Sequence, residues 1–314
     1  MSSSTTSTTR TEGDSLFTVW RKPQTRRDLL SGLAYLAPSM IVLLVFVILP
    51  VLTALFLSFT SWEARSTDAA FIGVKNYVDL LGSGELWNAV RNTIYFSVLK
   101  ISLDLVFALG IALLLNQKLR AIGFYRTLYF LPVITSIVAV GAVFRVIYNP
   151  HFGLLNGFLG LFGLPPQRWL SDPNMALPSV TMVALWKGLG YDIVIFLAGL
   201  QGIPQTFYEA AKIDGANGWQ RFRHVTWPLL SPVTFFVVVI GIINSFKVFS
   251  LIHVMTPEGG PLNSTEVLVF YIYRLAFQEF RFGKAAAVAF ILFAIVLGIT
   301  VFQRRVIEPR VHYE

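Results

Sequence analysis

"YEAAKIDGANGWQRFRHVTWPLLSP", Tyr208 to Pro232, is the longest polar, well-punctuated run in a chain that is otherwise largely apolar. Just upstream, Pro204 suits the first turn of a helix, where its missing N–H costs nothing. Gln205 to Asp214 are good helix formers. Gly215 then acts as a stop, because glycine takes the left-handed conformation after a helix without a Cβ penalty. Asn217 suits the N-cap of a second helix, and Pro228 and Pro232 mark the start of the next apolar segment. The pattern predicts two short helices meeting at a tight glycine turn. The first presents Ala210 and Ala211, small enough for another surface to come close. Glu209, Asp214, Arg221, Arg223 and His224 offer polar contacts, and Phe207, Ile213, Trp219 and Phe222 offer apolar anchors. The unit reads as a knob for a socket on another protein. The competing reading is an amphipathic connector lying on lipid headgroups.

Outward from this unit the chain is membrane-like. Of its 314 residues 55% are hydrophobic and 13% charged, half of the roughly 25% that a soluble domain carries. A crossing helix needs about 20 mainly apolar residues. Six segments qualify: roughly 33–58, 93–115, 127–147, 176–200, 229–252 and 285–302. The second holds Lys100 and Asp104, the fourth Lys187 and Asp192, and the fifth Lys247. The first is too long for the core of a signal peptide and reads as an uncleaved span. Lys100 and Asp104 stand four residues apart, so one helix face can pair them.

Basic residues cluster at the ends of the apolar segments, not in a stripe. The net charge of +8 therefore carries topology rather than nucleic-acid binding. Placing both termini in the cytoplasm puts Arg10, Arg21, Lys22, Arg26 and Arg27, then Lys118, Arg120 and Arg126, then Lys212, Arg221 and Arg223, and finally Arg304, Arg305 and Arg310 inside. The basic residues outside are nearly balanced by acids. The expected layout is a cytoplasmic tail over 1–30 with a low-complexity, disordered start, a transmembrane domain over 31–304 with a cytoplasmic loop at 201–228, and a cytoplasmic tail over 305–314. The loops Tyr148–Pro173 and Met255–Glu266, rich in Gly, Pro and Asn, fall outside. They form turns rather than spans and suit the docking of an external protein.

Catalysis finds no support. The chain has no cysteine and four scattered histidines, so no thiolate site and no ligand-spaced histidine pair exists. No G-x-x-x-x-G-K-[ST] occurs. A stand-alone secondary transporter predicts paired broken helices or an inverted repeat, and the sequence displays neither.

The string "EAAKIDGA", followed by "WQRF", "TWPLL" and Pro232, resembles the EAA loop of ABC importer permeases of the carbohydrate-uptake, maltose-permease-like family. "FIGVKNYVDLL" (Phe71–Leu81), "NTIYF" (Asn92–Phe96), "FYRTLYFLP" (Phe124–Pro132), "MTPEGGP" and "RFGKAAA" are similar to the same family in the same order, over roughly Leu33 to Gln303. The resemblance implies an all-α integral membrane protein with six transmembrane helices and the type I ABC importer permease fold. It implies a multi-pass cell-membrane location and a non-enzymatic role in binding-protein-dependent transport of a sugar or sugar-like solute, glycerol 3-phosphate included. A peptide permease is the alternative. The implied partners are a second permease, an ATPase dimer that carries ATP and Mg, and an extracytoplasmic solute-binding protein. The resemblance implies no cofactor or metal bound by this chain itself. The EAA loop is then the coupling helix, with Glu209, Ala210, Ala211, Asp214, Gly215, Ala216 and Phe222 as the residues that meet the ATPase.

The same resemblance implies a solute path lined from the fourth and fifth spans by Leu189, Gly190, Tyr191, Ile193, Gly241, Ser245 and Val248, with Asp192, Asn244 and Lys247 as polar neighbours. The maltose-type pattern has tyrosine where this chain has Ile193, and asparagine where it has Ser245 and Val248. A maltose pocket is therefore not expected. Lys187 and Lys247 permit an anionic solute.

Overall fold

The computed structural model describes residues 23–63, 70–117 and 122–307. The expected cytoplasmic tails lie mostly outside these, over 1–22 and 308–314, as does the basic group Lys118 and Arg120. Regular structure among the described residues is helical, apart from one isolated bridge between Thr60 and Phe71. In chain order the helices are α1 (Pro23–Leu43), α2 (Leu49–Ser58), α3 (Lys75–Leu81), α4 (Gly84–Leu115), α5 (Ile122–Ile134), α6 (Ile137–Ile147), α7 (Leu154–Leu161), α8 (Pro173–Gly202), α9 (Gln205–Ile213), α10 (Gly218–Arg221), α11 (Trp227–Leu229), α12 (Ser231–Phe246), α13 (Ser250–Met255), α14 (Leu268–Tyr273) and α15 (Phe282–Phe302). Among the described residues four stretches are long and apolar enough to cross a membrane, and six if each of two bent pairs counts as one crossing.

The chain divides into two units, 1–56 and 57–314. In the first, α1 passes through a wide turn at Leu44–Ile48 into α2, and its apolar side chains stay exposed, Phe46 among them. An apolar surface of this kind needs lipid or another protein against it.

In the second unit α4 and α8 are the long central helices, with 32 and 30 residues. At 1.5 Å per residue each is roughly 45 Å long, more than the roughly 30 Å hydrocarbon layer. This excess is why α4 begins at Gly84, well ahead of the apolar segment read from Thr93. Its start is fixed by Ser83, whose side chain accepts from the Leu86 N–H. Asp172 caps α8 by accepting from the Asn174 N–H at 2.7 Å, and Pro173 follows in the first turn.

Small residues set the packing. Ala108 and Ala112 on α4 are fully buried in one core with Ile193 and Phe196 of α8 and with Leu230. Ala89, Ala287 and Val288 lie in a second core, where α4 and α15 meet α14. A third gathers Val140 of α6, Val180 and Val183 of α8, and Leu251 and Met255 of α13. Gly190 lies so close to the Tyr129 carbonyl that a Cβ there would overlap it.

Two spans differ from the sequence reading. The third is broken into α5 and α6, bent by 97°. Pro132 has no N–H to continue the ladder, and Ser136 takes an extended conformation. The fifth is bent by 63° between the segments 218–229 and 231–246, at Leu230 just before Pro232. It is interrupted again at Lys247–Phe249 before α13 begins. Broken helices, which the sequence did not reveal, are thus present.

Candidate functional site

The quoted loop folds as its residues dictate. Pro204 precedes the first residue of α9. At the far end the Ala216 N–H donates to the Ala211 carbonyl at 2.9 Å and the Gly215 N–H to the Lys212 carbonyl at 3.1 Å. This is a Schellman closure with Gly215 at φ 77°. Asn217 and Gln220 form a reciprocal capping box at 2.9 and 2.7 Å. Glu209, Ala210, Asp214 and Gly215 are exposed, and Ala211, Ala216 and Phe222 are half-buried. Ile213 is 86% exposed and Trp219 67%. Phe222 turns inward against the core formed by α4, α8 and Leu230, stacks on Trp219 and lies against Trp227. Tyr208 hydrogen-bonds Thr226 at 3.1 Å and ties the two short helices together.

A cavity of about 460 Å³ lies among α4, α5, α6, α8, α12 and α13. Tyr191, Asp192, Gly241, Asn244, Lys247 and Val248 line it, as do Phe96, Lys100, Ile137, Lys187, Gly188 and Phe249. The breaks in the third and fifth spans create it. Ile137 is the first residue of α6, and Lys247 to Phe249 are the non-helical residues between α12 and α13. Of the other residues expected along the path, Leu189 packs towards the core, Gly190 abuts Tyr129, and Ile193 and Ser245 are buried away from the cavity.

The charged groups are held in distinct ways. Lys100 pairs with Asp104 one turn along α4, and Asp104 is 2% exposed. The Lys187 ammonium donates to the carbonyls of Thr135 at 2.9 Å, Pro132 at 3.3 Å and Val133 at 3.4 Å. The Pro132 carbonyl also accepts from the Thr135 N–H at 3.3 Å and hydroxyl at 2.6 Å, whereas the Val133 and Thr135 carbonyls sit at the open end of the helix, so Lys187 satisfies the break that shapes the cavity. The sequence exposed Lys187 as a charge inside a span, but not its acceptors, which lie more than fifty residues away.

Away from the loop, Arg274 binds Glu266 at 2.7 Å, Glu279 at 2.8 Å and Glu85 at 2.9 Å. Burial raises the Glu266 carboxyl above its usual range, and the neighbouring Arg274 offsets part of the rise. Asn92 donates to the carbonyls of Asn263 and Glu266 at 3.0 and 3.1 Å. Together they fix a tight loop in which Glu258, Leu262 and Asn263 have positive φ. Leu262 is 89% exposed at its surface. Among the described residues no group of His, Cys, Asp and Glu is arranged to hold a metal.

The family described as binding-protein-dependent transport system inner membrane component matches residues 104–313. The sn-glycerol-3-phosphate transport system permease protein UgpA of Agrobacterium fabrum is 36% identical over 280 residues, covering 88% of this chain and 94% of that protein. The trehalose/maltose transport system permease protein MalF of Thermococcus litoralis is 32% identical over 282 residues, covering 89% and 94%. A chain in the crystal structure of a bacterial alginate ABC transporter in complex with an alginate pentasaccharide-bound periplasmic protein superposes with a TM-score of 0.76 at 27% identity, covering 91% of this chain and 97% of that one.

Proposed function

The chain belongs to the binding-protein-dependent transport system inner membrane components, and from that premise we propose that it is one permease subunit of an ATP-driven importer for a sugar or sugar-like solute. It is a membrane-spanning transport component, not an enzyme. The relatives named for glycerol 3-phosphate, trehalose and maltose, and alginate favour this solute class over peptides.

The observation that carries the reading is that the chain combines a polar, capped double-helix loop with a largely apolar cavity into which Lys100, Lys187, Lys247 and Asp192 bring charge. In this reading the knob is cytoplasmic, as are both termini. Glu209, Ala210, Ala211, Asp214, Gly215 and Ala216 meet the ATPase subunit, and Phe222 anchors the unit to the span beneath. ATP and Mg are handled by that partner. Closing of the ATPase dimer shifts the permease between inward- and outward-open states, which requires that the two states bind the ATPase differently. The solute passes through the cavity lined by Tyr191, Asp192, Gly241, Asn244, Lys247 and Val248, alongside a second permease. The rigid loop that presents Leu262 faces the solute-binding protein.

The test is ATP hydrolysis by the complete complex in lipid, with its binding protein, across neutral and acidic sugars, glycerol 3-phosphate and short peptides. Stimulation by a sugar or sugar phosphate is expected. Stimulation by peptides alone would sink the reading.

A further inference from the structure

The cavity holds more positive than negative charge. Three ammonium groups line it, from Lys100, Lys187 and Lys247, together with one carboxylate, Asp192. Lys100 is answered by Asp104 behind it. Lys187 is bonded only to main-chain carbonyls among the described residues, which hold its hydrogens but bring no countercharge. Counting Asp104 and Asp192 against the three lysines leaves one positive charge in excess. An uncompensated charge inside a membrane span is costly and marks a place where water or a ligand answers it.

Lys247 is the group left open. It follows the last turn of α12, is exposed, and makes no side-chain hydrogen bond or ion pair with the described residues. Asn244, one turn earlier on α12, and Asp192, on α8, likewise line the cavity and make no side-chain hydrogen bond with the described residues. An ammonium has three donors and no acceptor, and it binds an anionic oxygen about twice as strongly as a neutral one. A carboxylate and an amide accept from hydroxyl groups. Resting on the reading of this cavity as the solute path, we propose that the imported solute is a polyhydroxylated anion, a sugar or polyol bearing a carboxylate or phosphate. Lys247 takes the anionic group within the field of Lys187, and Asp192 and Asn244 take hydroxyls. Lys247 is then the residue that selects acid over neutral.

The chain has no cysteine, so an Asn244→Cys variant places a single reporter thiol in the cavity. In the complete complex in liposomes, labelling of this chain by a sulfonatoethyl thiosulfonate is expected to be at least about tenfold faster than by its trimethylammonioethyl counterpart, each relative to a free thiol. Adding Lys247→Gln should remove most of that ratio. ATP-driven uptake of glycerol 3-phosphate and of digalacturonate, set against glycerol and maltose, should favour the acid in each pair. Lys247→Gln should collapse the preference and Lys247→Arg should keep most of it. Equal labelling rates, or an acid-to-neutral ratio that Lys247→Gln leaves unchanged, would overturn the inference. Failure of the path reading looks different: complete labelling of the Asn244→Cys variant would leave uptake of every solute intact.

Discussion

The ammonium of Lys187 sits 2.9 Å from the main-chain carbonyl of Thr135, so a side chain of the fourth span completes the backbone of the third. Replacing Lys187 by Met removes three donors and takes the side-chain donor from the Val133 and Thr135 carbonyls, while Thr135 still serves the Pro132 carbonyl. A stranded buried acceptor costs about 1–3 kcal/mol. Lower thermal stability of the purified complex is expected, with partial rescue by Lys187→Arg. An unchanged melting temperature for Lys187→Met would show that water replaces the lysine at no cost.

Arg274 answers three carboxylates, and Glu266 among them is 1% exposed. Arg274→Met strands a buried charge, a loss of about 3–5 kcal/mol. Glu266→Gln is the milder change, because the amide keeps an acceptor for Arg274. Burial holds the folded Glu266 pKa above its unfolded value. The stabilisation from its protonation is therefore complete below the unfolded pKa and is lost as pH rises through the folded one. Glu266→Gln should gain on the wild type in melting temperature as pH is raised from the acid range. A gap that narrows instead would contradict the sign.

Gly215 sits at φ 77° with open space where a Cβ would point, so only backbone strain opposes a side chain there. Left-handed backbone costs a non-glycine residue roughly 1–2 kcal/mol, and a β-branched residue is a true outlier there. Gly215→Val should leave the membrane domain assembled and lower solute-stimulated ATP hydrolysis several-fold. Gly215→Ala should fall between it and the wild type. Full stimulation in both variants would remove Gly215 from the joint.

Gly190 tests the contact between α5 and α8. A Cβ there would overlap the Tyr129 carbonyl, which is main chain and cannot rotate away. Gly190→Ala is expected to cost about 1–3 kcal/mol through overpacking, read as a lower melting temperature of the complex. Gly298, with nothing near its missing Cβ, is the matched control and should tolerate alanine.

Most of the polar loop was legible because each of its features is local. The Pro204 start, the Gly215 stop and the Asn217 cap are all decided within about four residues, the reach of a helix ladder; the return bond from Gln220 to Asn217 came with the structure. Six apolar segments were legible for a related reason: lipid accepts only continuous apolar helix of sufficient length. The resemblance of "EAAKIDGA" and its companions to the permeases then pointed to the family.

The cavity was only half legible. Of the residues read as a solute path, Tyr191, Asp192, Gly241, Asn244, Lys247 and Val248 line the cavity, whereas Leu189, Gly190, Ile193 and Ser245 turn to neighbouring helices. Their alternation follows the rotation of α8 and α12 against α4, which hydropathy does not fix when a helix is apolar on every side.

By itself, then, the sequence determined where the apolar segments lie, the Asn217 cap and glycine turn of the polar loop, and, with no cysteine, the absence of thiol chemistry. Only the tertiary structure decided that the third and fifth spans break, and that Lys100, Lys187 and Lys247 converge at those breaks. The physical reason is range. A cap or a Schellman turn is closed by neighbours in the chain, but a broken helix inside the protein survives only if a distant group satisfies its freed carbonyls. Lys187 does so from a separation of 52 residues.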